Sequence, residues 1–442
     1  MKKIYLLLGI AVSLAACKKK SGDYTKYTSD PILYSKTVKR LNDVVLYNNF
    51  PPVVASRNYA YANIAAYECM AAGNKDYQSL NGQIKHLPQM PAPSNAKMID
   101  FHLAALLSFV KVGNAVTFPE GVLMDYYGEL KNSADSAGMP EEIMKATIAY
   151  SDTVVATILK WSKGDNYART RSAEKYTVKQ EEGRWIPTPP MYAQGMEPHW
   201  GDIRTLFLDS SSQFMPPSPT KYNMKDTTSA YCKEVMQVKK AVDSLTDDQK
   251  HLADFFDDNP FNLHVTGHVM YATKKFSPPG HWMNIVGIAA QKDKADFDKT
   301  VAAYTATSIA LFDGFIACWK AKYLYNTVRP ETVINKLIDP AWQPYIQTPP
   351  FPSYVSGHSV ISAASAEVMT SFFGDNFSYR DSSEREFGVP DMSFKSFRDA
   401  AWQASWSRLY GGIHFWSELA LGNAFGKQIG TYQLSRLRMK KG

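Results

Sequence analysis

Apolar residues recur at intervals of three and four positions along most of the chain, the spacing that places them on one face of a helix. Alternating patterns long enough for buried strands are scarce, so we predict an all-α protein built as one or two helical bundles. The stretch from Ala306 to Trp319 is almost wholly apolar and predicts a helix buried on every side. The spacing predicts helices within 33–75, 97–175, 229–257, 293–326, 358–373, 395–408 and 414–431.

Two segments interrupt this pattern and are expected to be ordered loops. Residues 184–220 are crowded with prolines, which cannot continue a helix, and residues 341–356 are rich in proline and aromatic residues. The first loop is a candidate boundary between an N-terminal helical part, 33–250, and a C-terminal helical part, 251–442. Because both parts are helical, a single domain over 33–442 fits the pattern equally well.

Composition and charge narrow the class of protein. The 442 residues are 45% hydrophobic and 21% charged, a balance that argues for a globular protein with a large core. Beyond residue 17, charges interrupt every apolar run of about 18 residues, which argues against a polytopic membrane protein. The net charge of +7 is mild and forms no long basic tract, so nucleic acid is not expected as a partner. Apart from Cys17 there are three cysteines, Cys69, Cys232 and Cys318, so at most one disulfide can form among them.

The first residues have the pattern of an export signal. Lys2 and Lys3 precede the short apolar stretch Ile4–Ala16, which is too short to span a bilayer. The order Leu14-Ala15-Ala16-Cys17 resembles the bacterial lipoprotein signal. We therefore predict a signal peptide over 1–17, lipidation of Cys17, a tether over 18–32 and a location in the cell envelope, with membrane contact through the lipid only. An ordinary cleaved signal with an incidental cysteine is the alternative.

A first polar cluster lies where the long helix 293–326 ends. Lys322 falls on the apolar stripe of this helix, where a buried ammonium group is costly unless it meets an anion. Arg329 follows seven residues later, two helical turns on, so both cations can face one point. Pro330 predicts that the helix does not continue through Arg329. Taken alone, the cluster favours the alternative of a lysine that reaches the surface and a surface arginine.

A second cluster, Ser356-Gly357-His358, opens the predicted helix 358–373. The start of a helix exposes free backbone N–H groups to an anion, and a glycine allows the anion to approach closely. Ser356 adds a hydroxyl donor, and His358 adds a group that titrates near neutrality. An N-terminal capping serine followed by an ordinary histidine would have the same sequence.

A third cluster follows the predicted helix 395–408. Arg408 offers a planar guanidinium group for an oxyanion. Gly411 and Gly412 allow the chain to turn so that His414 can reach the same point. A surface loop with an arginine is the alternative when this cluster is considered alone.

In this order, Lys322-x6-Arg329-Pro330, Ser356-Gly357-His358 and Arg408-x5-His414 resemble the family that joins type-2 phosphatidic acid phosphatases to vanadium-dependent haloperoxidases. Further upstream, Asp258-Asn259-Pro260 and Pro278-Pro279-Gly280-His281-Trp282 are similar to the bacterial haloperoxidase branch, whose iodoperoxidases the chain resembles. The resemblance covers about 250–430 well and 45–70 loosely. It implies an all-α fold and a vanadate cofactor, whose site phosphate can also occupy.

The resemblance also implies a role for each residue. The oxyanion would be bound by Lys322, Arg329, Ser356, Gly357, Arg408 and His414. His414 would bind vanadium through one ring nitrogen, its other nitrogen needing an acceptor, and His358 would be the acid–base group. Lys322 would polarise bound peroxide, so the catalytic residues would be His358, His414 and Lys322. The implied reaction is the oxidation of iodide or bromide by hydrogen peroxide to hypohalous acid.

Some positions leave alternatives open. The phosphatase pattern usually has a proline directly before Ser-Gly-His, where this chain has Val355. Lys320 stands where haloperoxidase relatives commonly have an acidic residue, which puts the halide preference in doubt. Trp319 and Phe351 could shape an apolar halide pocket or could be ordinary core aromatics. A soluble acid phosphatase with His414 as nucleophile, and a lipoprotein that only binds phosphate or vanadate, are the competing functions.

Overall fold

The computed structural model describes residues 23–117, 121–260, 262–266 and 269–441, so the predicted lipidation site Cys17 lies outside the described residues. The expected all-α architecture is confirmed, since helices make up most of this part of the chain. The helices before the long loop are α1 Thr25–Thr28, α2 Pro31–Tyr47, α3 Pro52–Gly73, α4 Phe101–Thr117, α5 Val122–Ser136, α6 Glu141–Ser162 and α7 Tyr167–Arg171.

Eight α-helices follow the loop in the part of the chain that the structure describes. Their ends agree with local chemistry: α9 begins with a capping box between Thr246 and Gln249, and α13 stops at Gly374, whose φ of 100° favours glycine. The helices are α8 Ala230–Asp243, α9 Asp247–Phe255, α10 Pro278–Asp293, α11 Phe297–Tyr325, α12 Pro330–Leu337, α13 Gly357–Phe373, α14 Phe397–Tyr410 and α15 Trp416–Arg436.

Two short antiparallel hairpins were not predicted. One pairs β1 Asn262–Thr266 with β2 Val269–Thr273, and the other pairs β3 Tyr379–Asp381 with β4 Met392–Phe394. Each strand has only three to five residues, too few for an alternating pattern to stand out.

The helix α11 is the centre of the main hydrophobic core. Among the described residues, α11 is the one helix long and apolar enough to cross a membrane, and its most apolar stretch is wholly buried inside the protein. The core around it includes side chains from Tyr34 to Met439, so both sides of residue 250 contribute. The segment 23–32, assigned above to the tether, contains α1 and the first residues of α2, and Thr28 is buried.

Helices α13 and α15 pack unusually closely because glycines line their contact. A Cβ atom on Gly426 would lie 2.0 Å from the carbonyl oxygen of Val360, and one on Gly422 would lie 3.1 Å from the carbonyl oxygen of Ser356. Small residues allow two helix backbones to approach in this way. The start of α13 is thereby held against the first turns of α15.

The long loop between α7 and α8 is anchored to the end of α11. Within it, Trp185 and Trp200 are fully buried. The backbone N–H of Trp185 donates to Asn326 O over 3.1 Å, and the backbone N–H of Met196 donates to Pro350 O over 2.8 Å. The predicted loop 184–220 therefore covers the region where α11 ends and the second loop, 341–356, begins.

Candidate oxyanion site

The three polar clusters meet at one place, where several helix ends converge. Helix α13 packs against α11, α14 and α15. Consequently the last turn of α11, the first turn of α13, the last turn of α14 and the segment before α15 face one another. The predicted site residues at this place are Lys322, Arg329, Ser356, Gly357, His358, Arg408 and His414.

Lys322 is fully buried in the last turn of α11, as its place on the apolar stripe predicted. Its ammonium group donates to Pro352 O over 2.9 Å and to Ser353 O over 2.8 Å. The third N–H of the ammonium group is left to donate to a ligand. The Phe351 ring centroid is 5.1 Å from Nζ. Burial, and then the charge of Arg329, lower the pKa of Lys322 to about 7, so an anion nearby would favour its charged form.

Arg329 is also fully buried, which excludes a surface position. Helix α11 ends at Asn326, which has a left-handed backbone, and Pro330 begins α12, so Arg329 lies on extended chain between two helices. Its Nε donates to Phe351 O and its Nη1 to Ile413 O, each over 2.9 Å. Its Nη2 is buried and has no hydrogen-bond partner among the described residues. Burial lowers the pKa of Arg329 to about 10.

Arg408 is the third buried cation and lies in the last turn of α14. Its Nε donates to Ser407 Oγ over 2.9 Å, and its Nη2 donates to Phe256 O. Burial lowers its pKa to about 10, opposed by the carboxylates of Asp257 and Asp258. Three buried cations thus surround one point, although isolated buried charges are costly.

Ser356 and Gly357 form the N-terminus of α13. The Ser356 hydroxyl accepts from the N–H of Ser359 over 3.3 Å, so it acts as a helix cap. A Cβ atom on Gly357 would lie 3.6 Å from Trp319 and 4.0 Å from Cε of Lys322. A side chain at Gly357 would therefore occupy space beside Lys322 that is available to a ligand.

His414 is buried and is oriented by Glu418, one helical turn further along. Nδ1 of His414 lies 2.6 Å from Glu418 Oε2, and the same oxygen accepts from Ser353 Oγ over 2.6 Å. This contact makes Nδ1 the protonated nitrogen and leaves the lone pair on Nε2. Nε2 lies 3.1 Å from Nη1 of Arg329. Burial and the neighbouring cations hold the pKa of His414 well below its usual range, so the ring is neutral.

His358 lies in the first turn of α13, beside Asp258. Nε2 of His358 is 3.4 Å from Oδ2 of Asp258. Burial and the charge of Arg408 lower the pKa of His358 to about 4, although Asp258 acts in the opposite direction. The ring is therefore neutral near pH 7 and can accept a proton.

An apolar cavity of about 310 Å³ opens above these residues. Gly357, His358, Arg408 and His414 lie on its wall, together with Trp319, Phe351 and several proline and methionine side chains. The rings of Trp319 and Phe351 are 4.8 Å apart between centroids. Lys320 does not line this cavity: its side chain is 41% exposed and lies 3.5 Å from Asp202 on the surface.

Two acidic groups next to the predicted residues were missed as site residues. Glu418 could have been found from its spacing, because position i+4 from His414 faces the same way at the start of α15. Asp258 was noted above within a similar motif, but nothing in the sequence places it beside His358. That contact depends on how the segment after α9 folds against α13.

The fold and the site define a class: helical proteins in which buried basic side chains, a helix N-terminus and a neutral histidine meet at one place, an arrangement suited to a tetrahedral oxyanion. A family model, described as the VCPO second helical-bundle domain, matches residues 302–341 and 337–440. The crystal structure of the first bacterial vanadium-dependent iodoperoxidase is similar to this chain with 41% identity and a TM-score of 0.87, and the match covers 92% of this chain and 97% of that one. The chain belongs to the vanadium-dependent haloperoxidase family.

Two further structures share the fold at lower identity. The holo form of a bacterial vanadium-dependent chloroperoxidase has 17% identity and a TM-score of 0.65, over 87% of this chain and 91% of that one. The apo form has 17% identity and a TM-score of 0.66, over 87% of this chain and 94% of that one. A comparison with curated proteins gives no match.

The residues of the site fit vanadate, the cofactor of this family. Vanadate is an oxyanion, and the site offers it three buried cations, a helix N-terminus and the unpaired Nη2 of Arg329. The neutral Nε2 of His414 is the nitrogen available to the metal.

Proposed function

We propose that this protein is a vanadium-dependent haloperoxidase that oxidises iodide, or bromide, with hydrogen peroxide to hypohalous acid. The observation that carries the proposal is the neutral ring of His414, which is buried among three cations in a chain 41% identical to a bacterial iodoperoxidase. Vanadate, when bound, activates hydrogen peroxide for attack by a halide while vanadium keeps one oxidation state.

The residues that hold vanadate divide into three kinds. Lys322, Arg329 and Arg408 balance its charge in a dry site, where charge–charge interactions are strong. The Ser356 hydroxyl and the Gly357 N–H donate hydrogen bonds at the start of α13. His414 would bond the metal through Nε2, because Glu418 holds the proton on Nδ1.

Two residues act on the peroxide. His358 accepts the proton that hydrogen peroxide loses, because its pKa of about 4 leaves the ring neutral over the neutral range. Lys322 has one N–H group left after its two carbonyl contacts and would donate it to hydrogen peroxide in the site. Its charged form is favoured once an anion sits beside it.

The apolar cavity favours iodide among the halides. A large anion loses less hydration free energy on entering an apolar pocket than a small one, and iodide is also the most easily oxidised of the three halides. Trp319 and Phe351 form the apolar wall next to the cradle. We expect chloride to be the poorest substrate.

The experiment compares two reactions on one preparation. Purified protein, with and without orthovanadate, is assayed for peroxide-dependent triiodide formation and for p-nitrophenyl phosphate hydrolysis. We expect vanadate-dependent iodide oxidation and at most slow ester hydrolysis. Efficient hydrolysis that vanadate inhibits, without iodide oxidation, would instead establish the phosphatase function.

Three variants separate the proposed roles. His414→Ala should abolish vanadate retention in equilibrium dialysis while circular dichroism remains that of the folded protein. Arg408→Ala should weaken retention less, because two cations remain. His358→Ala should retain vanadate but slow oxidation by about 10²–10⁴-fold, the usual contribution of a proton-transfer group. Equal vanadate binding by wild type and His414→Ala would remove His414 from its role.

We also propose that Cys17 is the mature N-terminus and carries lipid, which would place the enzyme at the cell envelope. The support is the order Leu14-Ala15-Ala16-Cys17 after a short apolar run. One acyl chain binds membranes only marginally, so stable anchoring requires at least two. Mass spectrometry of the native N-terminal peptide tests this, and an unmodified Cys17 would refute it.

A further inference from the structure

Behind His358 lies a chain of buried polar groups that the reaction described above does not use. His281, in the first turn of α10, is 1% exposed. Its Nδ1 lies 2.8 Å from Oδ1 of Asp258, and its Nε2 lies 2.9 Å from Oδ2 of Asp381. The other oxygen of Asp258 is the one that faces His358, at 3.4 Å. Residues from four separate segments therefore form the series His358, Asp258, His281 and Asp381.

The contacts define the charge of His281. Both ring nitrogens face a carboxylate oxygen at hydrogen-bonding distance, and only a doubly protonated ring donates at both positions. The pKa of His281 is accordingly raised well above its usual range by Asp258 and Asp381, against the effect of burial. A ring in this state has no lone pair for a metal, although Glu384 also approaches Nδ1, to 3.9 Å.

The geometry holds each member of the series in place. Oδ1 of Asp381 accepts from the N–H and the hydroxyl of Ser383, so Asp381 cannot turn away from His281. The His281 ring stacks on Phe256, with centroids 5.4 Å apart. Asp258 itself has a φ of 46°, a left-handed backbone that is uncommon for a residue other than glycine and often marks a functional position.

We propose that His281 is a positioning residue for proton transfer at His358: it occupies one oxygen of Asp258 so that the other oxygen orients the His358 ring. Nε2 of His358 has no hydrogen-bond partner among the described residues, but at 3.4 Å the negative charge of Asp258 favours a proton on Nε2, which would leave the lone pair on Nδ1. The positive charge of His281 balances Asp258, which would otherwise pull a proton onto His358. The inference rests on the proposed role of His358 as the group that accepts the peroxide proton.

Other charged groups near this series determine whether the pKa of His358 rises or falls when the charge of His281 is removed. Arg408 opposes protonation of His358, and Asp258 favours it. Burial raises the pKa of Glu384 to about 8, so it is mainly neutral at pH 7. Asp257 faces Arg408 and Lys275. Removing the charge of His281 therefore leaves Asp258 less balanced and raises the pKa of His358.

The test uses His281→Asn, which keeps a donor toward Asp258 but carries no charge. In the vanadate-free protein, nitrogen-15 NMR of the histidine rings, assigned with His358→Ala, should give a His358 pKa at least one unit higher than in wild type. The wild-type spectrum should show His281 protonated on both nitrogens at pH 7. A neutral His281, an unchanged His358 pKa, or a divalent cation found by elemental analysis at this cluster would overturn the proposal.

Kinetics of the vanadate-loaded enzyme give an independent readout. His281→Asn should move the acid limb of the kcat profile for iodide oxidation to higher pH and leave the Kd for vanadate within about threefold. In the His358→Ala background the same change should have no effect on kcat, whereas a purely structural role would slow both backgrounds equally. His102→Asn, which changes a histidine–carboxylate pair elsewhere in the protein, is the matched control.

The two readouts separate this inference from the proposed function. If no form of the protein oxidises iodide, the proposed function fails, but the NMR comparison still decides whether His281 controls His358. If His281→Asn does not fold, His281→Gln and the wild-type spectrum carry the same test.

Discussion

The close contact between α13 and α15 supplies a sharp test of how the scaffold supports the site. Gly426→Ala would place a Cβ atom 2.0 Å from the carbonyl oxygen of Val360 and 2.8 Å from its carbonyl carbon, whereas real Cβ contacts below 3.0 Å are essentially never seen. Because both neighbours are backbone atoms of a helix, no side chain can rotate to relieve the overlap. The two helices must move apart by about 1 Å.

Two opposing contributions determine how much Gly426→Ala changes the free energy of unfolding. Overpacking in a core ordinarily costs about 1–3 kcal/mol, and the overlap with backbone places this case at the upper end. Alanine is a better helix former than glycine by about 1 kcal/mol, which offsets part of the cost. We therefore expect Gly426→Ala to lower the free energy of unfolding by about 2 kcal/mol. A 1 Å displacement between the start of α13 and the start of α15 should also slow iodide oxidation by up to about 10²-fold.

The matched control is Gly128→Ala in α5, where a Cβ atom would meet nothing within 4 Å. This change should raise the free energy of unfolding by about 0.5–1 kcal/mol through helix propensity alone. Urea denaturation followed by circular dichroism measures both variants, and triiodide formation measures the site. If Gly426→Ala were as stable as Gly128→Ala and equally active, the close approach of α13 and α15 would not be what positions the site.

Three other outcomes are expected. Burial raises the pKa of Glu68 to about 7 from 4.5. The contribution of Glu68 to the free energy of unfolding is therefore full below pH 4.5 and is lost as the pH rises through 7. In urea titrations, the stability of wild type relative to Glu68→Gln should fall by about 3 kcal/mol between pH 4 and pH 8. Lys320→Ala should leave the kcat for iodide unchanged in the triiodide assay, because this side chain faces the surface; a tenfold change would mean that its charge reaches the cavity. Arg329→Lys should weaken vanadate retention in equilibrium dialysis by about 10- to 100-fold, because one ammonium group cannot replace a guanidinium group that donates in three directions. Unchanged retention would contradict this.

The sequence predicted the parts of the fold that depend on long, regular patterns. The buried helix α11, the helix predicted over 358–373 and the two proline-rich loops all follow from apolar spacing and from residues that end helices. Helices α10 and α12 were not predicted. Helix α12 has only eight residues, too few for apolar spacing to stand out, and α10 begins with Pro278-Pro279-Gly280, residues that usually mark a turn.

The basic residues of the site could be predicted, because a charged side chain on the apolar face of a helix requires an explanation. Lys322 on an apolar stripe indicated either burial beside an anion or a lysine that reaches the surface, and the spacing to Arg329 placed a second cation nearby; the structure shows both to be buried. The acidic partners gave no such signal. Asp258 and Glu418 are ordinary helix-end residues in the sequence, and their contacts with His358 and His414 arise only when separate segments pack together. The lipid on Cys17 and the division into two helical parts remain predictions.

The balance of charge around the cradle explains why it suits an anion rather than a cation. Lys322, Arg329 and Arg408 each donate to at least one backbone carbonyl, which hydrogen-bonds to a cation without neutralising it. Burial raises the pKa of Glu418, the acid beside His414, to about 7, so it balances at most part of one charge. Asp257 and Asp258 partly compensate Arg408, so the positive charge that folding leaves least compensated is that of Arg329 and of protonated Lys322, and burying it costs several kcal/mol in a dry interior. A tetrahedral oxyanion supplies the missing negative charge and the acceptor for Nη2 of Arg329, so binding it returns part of the stability that the protein loses by building the site.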